Sequence, residues 1–297
     1  MSVTVRVPAK VNVQLAVGAA RPDGFHDLAN VFLAVGLYDE VTVTPAEELR
    51  ITCAGPDAAE VPLDRTNLAA RAAITLAERR GLDPAVHLHI AKDIPVAGGM
   101  AGGSADGAGA LLACDALWGT GASREELLEI CAELGSDVPF SLVGGAALGT
   151  GRGEKLRTLE VGGEFSWVFA MAERGLSTPA VFREFDRLTE GLDVPEPVAS
   201  EELLDALAGG APDALAAAVS NDLQPAALSL FPELADTLAA GSAAGALAGL
   251  VSGSGPTTAF LARDTGSATE IADALRASGT CRTVRVASGP APGATVI

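Results

Sequence analysis

Along the first fifty-odd residues, apolar and polar side chains alternate at the two-residue period of half-buried strands. The pattern predicts strands at 3–7 and, after Pro8, at 11–17, then at 29–36, 40–44 and 49–53. The period next lengthens to that of a helix. Thr66 stands as a cap, the run continues to Arg80, and Gly81 supplies the stop. A strand at 86–90 leads into Pro95-Val-Ala-Gly-Gly-Met-Ala-Gly-Gly-Ser104, after which a helical pattern runs to Trp118 and ends at Gly119. Ser123-Arg-Glu-Glu126 is a capping box for a helix that ends near Leu134. A Gly-Arg-Gly turn within 148–154 marks a break between two lobes, expected at 1–155 and 156–297.

Beyond that break the pattern predicts a strand at 165–171 and a helix at 179–188. Alanine-rich helices follow at 201–207, 211–219 and 232–240. Strands at 246–251 and 257–261 flank Ser252-Gly-Ser-Gly-Pro256, and a helix at 267–277 and a strand at 283–286 close the chain. The stretch 191–200 reads as a mobile surface loop. Strands and helices segregate without regular βα alternation, which predicts an α+β fold and not a doubly wound sheet. There is no internal repeat.

Composition narrows the function. The 297 residues suit one large domain or two packed lobes. A formal net charge of −18 argues against nucleic acid and anionic membrane as partners, since either would need a basic face. An anionic substrate must therefore be captured by a local site against the overall field. Cys53, Cys114, Cys131 and Cys281 are scattered without a Cys-x-x-Cys pair, so reduced thiols and a cytoplasmic location are expected. The N-terminus lacks the apolar core of a signal peptide, and no apolar run approaches the ~20 residues that span a bilayer. Lysine occurs only at positions 10, 92 and 155, against seventeen arginines, and two of the three lysines flank candidate chemistry.

The glycine-rich loop between a strand and a helix suits phosphate, because glycines let backbone N–H groups approach a ligand and the helix N-terminus attracts anions. It is neither a Walker A nor a Rossmann motif; a flexible turn before a capped helix is the alternative, and the helix N-terminus favours phosphate over it. Pro8-Ala-Lys-Val-Asn12 and Ser252-Gly-Ser-Gly-Pro256 are each weak alone, one readable as a solvated turn and the other as a hairpin.

Together and in this order, the three segments resemble the signature motifs of the GHMP kinase superfamily. Arg21-Pro-Asp-Gly-Phe-His-Asp-Leu28, Gly135-Ser-Asp-Val-Pro139 and Asn221-Asp-Leu223 are similar to the branch whose acceptor carries a cytidine diphosphate group. The match runs from residue 3 to about 262. It implies an N-terminal lobe like domain 2 of ribosomal protein S5, a ferredoxin-like C-terminal lobe, and ATP between them. The activity implied is γ-phosphoryl transfer to a hydroxyl of the acceptor, on the non-mevalonate route to isoprenoid precursors. Lys10 and Asp137 would be catalytic, Asp137 as base or orienting group. The implied ATP neighbours are Asn67, Lys92, Pro95, Val96, Ala97, Gly98, Gly99, Met100, Ala101, Gly102, Gly103, Ser104, Ala105 and Asp106. For Asp106 an exposed first-turn acid, favoured by the helix dipole, is the simpler reading. Asn12, Phe25, His26, Phe182, Gly253 and Ser254 would face the acceptor, with Phe25 stacking on the base where the family often carries tyrosine. No protein metal site is expected, Mg²⁺ arriving with ATP, and the assembly expected is a monomer or weak homodimer. A homoserine or phosphomevalonate kinase, or a catalytically silent nucleotide-binding regulator, are the alternatives. Phe25 and His26 disfavour the first two, and the presence of both Lys10 and Asp137 disfavours the third.

Overall fold

A computed structural model describes residues 2–297. Its first element is one long strand, β1 (Val3–Ala20), where the pattern predicted two. Pro8 does not end it because it lies at a bulge: the partner strand β2 (His26–Pro45) shifts register between Pro8 and Ala9, and again between Asn12 and Gln14. A bulge tolerates the missing proline N–H and re-aims the side chains beyond it. The predicted strands at 29–36 and 40–44 likewise fuse into β2. Next come β3 (Arg50–Ala54), α1 (Leu68–Arg80), β4 (Val86–Ala91), α2 (Gly102–Trp118), α3 (Arg124–Leu134) and the short α4 (Val138–Val143). Asn67, not Thr66, caps α1, its side chain accepting from the Ala69 N–H. Gly81 ends that helix in the left-handed region and Ser123 caps α3, as their positions predict.

A hairpin of β5 (Ala146–Thr150) and β6 (Lys155–Leu159) pairs with β2. The lobe boundary expected at 155/156 therefore falls inside a hairpin of the N-terminal sheet. The Gly-Arg-Gly segment makes the hairpin turn, so no break occurs there.

The rest of the chain contains β7 (Phe165–Met171), α5 (Thr178–Leu188), α6 (Glu201–Gly209), α7 (Pro212–Ala218), β8 (Ser220–Asn221), α8 (Gln224–Leu230) and α9 (Leu234–Ala243). It ends with β9 (Ala248–Val251), β10 (Thr258–Ala262), α10 (Thr265–Ser278), β11 (Thr283–Gly289) and β12 (Thr295–Val296). Strands β11-β7-β10-β9 form a second, antiparallel sheet, whereas β8 and β12 cross back to pair with β1. The first sheet is mixed, since β3 runs parallel to β4 and β8 parallel to β1.

Helices α1 and α2 pack on one another, and α2 covers β1 and β2. Val5, Val7, Val41, Leu76, Leu88 and Leu111 are fully buried there. One face of the second sheet packs on α10 through Phe260, Ile271 and Leu275. Its other face places Trp167, Phe169 and Leu261 in the same apolar cluster as Val11, Leu33 and Val35. The lobes thus share a core. The stretch 191–200 is irregular, as expected, but it is anchored: Gln14 on β1 donates to the Val198 carbonyl and accepts from the Ser200 N–H.

Candidate active site

Central strand β1 is buried on both faces, which is how Lys10 and Asn12 come to be nearly inaccessible while Val11 and Val13 enter the core. The Lys10 ammonium donates to Asn12 Oδ1 at 2.5 Å and to the Gly99 carbonyl at 2.8 Å, and lies 3.6 Å from Asp137 Oδ2. Burial pushes Lys10 below its ordinary pKa, and Asp137 opposes that shift by favouring the charged form. The two partners differ in access: the Asp137 side chain is 30% exposed and that of Lys10 5%. Asp137 sits at the N-terminus of α4 without using its carboxylate as a cap, so its oxygens stay available to the cavity it lines.

Three distant segments converge on Gly99. Its carbonyl accepts from Lys10 and from Ser252 Oγ at 3.0 Å. Its φ is +75°, and a side-chain carbon there would come within 2.1 Å of the Ser252 carbonyl, so glycine is required. Gly253, with φ +57°, brings backbone to within side-chain contact of Asn12 and Lys10. Asn221 holds that turn by donating to the carbonyls of Val251 and Gly253, both at 2.7 Å. Ala97 and Ala101 both take positive φ, a strained setting for alanine that recurs at functional loops. Helix α2 opens after Ala101 with no side-chain cap, leaving its first N–H groups free for an anion.

One cavity of about 610 Å³ runs from this loop to an aromatic end. Ala97, Gly98, Gly99, Ala101, Gly102, Gly103 and Ser104 line it at one side; Phe25, His26 and Phe182 line the other, with Gly253 and Ser254 between lobes. His26 Nδ1 lies 2.8 Å from the Gly18 carbonyl, which can only accept, so that nitrogen carries the proton. The imidazole stacks on Phe182 with centroids 5.0 Å apart. Phe25 is half exposed at the cavity wall, with the Arg152 guanidinium 5.0 Å from its centroid.

Asn67, Lys92 and Asp106 do not line the cavity. Asn67 is spent as the α1 cap and donates to the Pro62 carbonyl. Lys92 bridges Asp39 at 2.5 Å and Asp106 at 2.9 Å, all three buried. Asp106 is therefore not an exposed first-turn acid. Burial pushes it up to about 7, with Lys92 pulling down and Asp39 pushing further up. Burial alone would lower Lys92, but Asp106 and Asp39 hold it above its ordinary value. This cluster sits directly under the loop, where a side-chain carbon on Gly102 would come within 2.9 Å of the Lys92 ammonium. Pro95, Val96, Met100 and Ala105 support the loop from outside the cavity, Met100 and Ala105 fully buried.

The family described as GHMP kinases N terminal domain matches residues 67–145, and that described as GHMP kinases C terminal matches 203–281. A protein of Streptomyces avermitilis named 4-diphosphocytidyl-2-C-methyl-D-erythritol kinase is 83% identical over 297 residues, covering all of both chains. The chain belongs to this kinase family. A 4-diphosphocytidyl-2-C-methyl-D-erythritol kinase of Thermobifida fusca is 60% identical, over all of this chain and 98% of its own. A crystal structure of a 4-(cytidine 5'-diphospho)-2C-methyl-D-erythritol kinase, 34% identical, superposes with a TM-score of 0.77 over 96% of this chain and 98% of that one. The α+β architecture with GHMP kinase N- and C-terminal domains agrees with the fold expected from the motifs.

Sequence reasoning missed several residues that this GHMP kinase brings to the cavity: Asn30, Arg152, Thr178, Arg183 and Asp186. Arg152 stood inside a turn read as a lobe break. Asn30 lies within an apolar strand, where nothing local distinguishes it from an edge-facing amide.

Proposed function

We propose that the chain transfers the γ-phosphoryl group of ATP to the 2-hydroxyl of 4-diphosphocytidyl-2-C-methyl-D-erythritol, giving the 2-phosphate and ADP on the non-mevalonate isoprenoid route. The observation carrying this reading is the continuity of one cavity, from the glycine loop past Lys10 and Asp137 to Phe25, His26 and Phe182. A base held between aromatic rings at one end leaves its polyol near Asp137, while the triphosphate lies along the free N–H groups of α2.

Phosphoryl transfer asks chiefly for positioning and charge compensation. Asp137 orients the acceptor hydroxyl and is placed to take its proton. Lys10, already tied to the Gly99 carbonyl, lies 3.6 Å from Asp137 Oδ2 and so couples the loop to the reacting oxygen. Asn12 holds Lys10 in place. Among the described residues no three His, Cys, Asp or Glu side chains cluster closely enough to hold a metal. The Mg²⁺ proposed to accompany ATP would supply neutralisation of the charge on the transferred group.

The test is ADP release from purified protein with ATP, Mg²⁺ and three acceptors: the cytidyl compound, homoserine and phosphomevalonate. Turnover with the cytidyl compound alone supports the proposal. Turnover with either of the others, and none with the cytidyl compound, overturns it.

A further inference from the structure

Asn30 is a buried amide whose side chain makes one hydrogen bond within the protein, of the four it can form. It is 4% exposed and lines the cavity. The orientation of its amide follows from a neighbour that can only donate. The Lys10 ammonium must meet an acceptor, so Asn12 turns Oδ1 towards it. Asn12 Nδ2 then faces Asn30, whose nearest atom, at 2.7 Å, must in turn be Oδ1. Asn30 Nδ2 is thereby directed away from Asn12, and among the hydrogen bonds of the described residues the Asn30 side chain takes part only in the one with Asn12. Asn30 lines the cavity, and an amide N–H pair there without a protein acceptor is placed for a ligand oxygen.

Its place along β2 indicates which ligand. His26, Leu28 and Asn30 alternate along the strand and all line the cavity. At about 3.3 Å per residue they form a ruler about 13 Å long, from the aromatic end to the Lys10–Asn12 pair. The glycine loop lies on the other side of that pair, at residues 97–104. An acceptor with its base at His26 and its reacting hydroxyl near Lys10 must lay its polyol across Asn30.

We propose that Asn30 is a substrate-contacting residue: its Nδ2 donates to a polyol oxygen of the acceptor, while its Oδ1 fixes the Asn12 amide that holds Lys10. This rests on the acceptor reading above. Wild-type turnover with the cytidyl compound tests that reading, whereas the Asn30 variants test this contact alone.

The two roles separate by substitution. Asn30→Asp keeps an acceptor for Asn12 but removes the donor; Asn30→Ala removes both. Steady-state kinetics with each substrate varied, together with titration of a non-hydrolysable ATP analogue and thermal melts of each variant, read the outcome. The expected result is a drop of about 10- to 100-fold in kcat/KM for the acceptor in both variants, with analogue affinity within about twofold of wild type. If Asn30→Asp keeps its acceptor kcat/KM within about threefold while Asn30→Ala loses it, Asn30 serves only to position Asn12, and the proposal fails. It fails equally if analogue affinity falls in parallel with the acceptor constant. Should Asn30→Ala melt below the assay temperature, the isosteric Asn30→Asp decides alone, by the same threshold.

Discussion

Replacing Lys92 with methionine keeps most of the length of its stem and removes the cation held between two buried carboxylates. Asp39 Oδ1 accepts from the N–H groups of Asp93 and Ile94 and its Oδ2 from Lys92, so the substitution strips this carboxylate of its counter-charge. Its side chain is fully buried, and an uncompensated buried charge costs about 3–5 kcal/mol. Lys92→Met should therefore lose about that much stability at pH 8 in urea unfolding. Asp106 tells the other half. The three groups with both acids ionised carry a net negative charge, and Asp106 Oδ1 finds no partner among the described residues. Its pKa is raised from 3.8 to about 7 by burial, so the folded chain holds a proton that the unfolded chain has released above pH 4. The folded state binds more protons between those values, and this contribution to stability, fully present below pH 4, is lost as pH rises through about 7. The displacement is on the order of 4 kcal/mol. Asp106→Asn mimics the protonated acid and removes that dependence. Its stability relative to wild type should rise by about 2–3 kcal/mol from pH 5 to pH 8. If that difference is the same at both pH values, or Lys92→Met costs less than about 1 kcal/mol, the account of the cluster is wrong. A loosened cluster should also raise the KM for ATP, since Lys92 lies beneath Gly102.

The loop and the base give two sharper tests. Gly99→Ala puts a carbon within 2.1 Å of the Ser252 carbonyl at a φ of +75°, and should weaken ATP-analogue binding by at least about tenfold in a calorimetric titration; binding within twofold of wild type would show that the convergence on Gly99 is dispensable. Asp137→Asn should reduce kcat by about 10²–10⁴ while analogue affinity stays nearly intact, and unchanged turnover would remove Asp137 from the chemistry.

Much of the local structure was legible because its causes are local. Gly81 and Gly119 end helices in the left-handed region where few other residues settle, and Ser123 caps through its own hydroxyl. The order of the Pro8–Asn12, Pro95–Ser104 and Ser252–Pro256 segments carried the resemblance to GHMP kinases, and that resemblance implied the two-lobed fold. What the chain could not reveal by itself are relations between residues far apart in sequence. Pro8 reads as a strand end until a bulge in β2 absorbs it. Asp106 reads as a solvated first-turn acid until Asp39, sixty-seven positions earlier, and Lys92 enclose it. Residues 191–200 read as a free loop until Gln14 anchors them, and residues 148–154 read as a break until they close a hairpin. The amide of Asn30 acquires a direction only through Asn12 and Lys10. Caps and turns are decided by the few residues beside them; burial, ion pairing and the polarity of a hydrogen-bond chain depend on which strands meet, and that was decided by the tertiary structure alone.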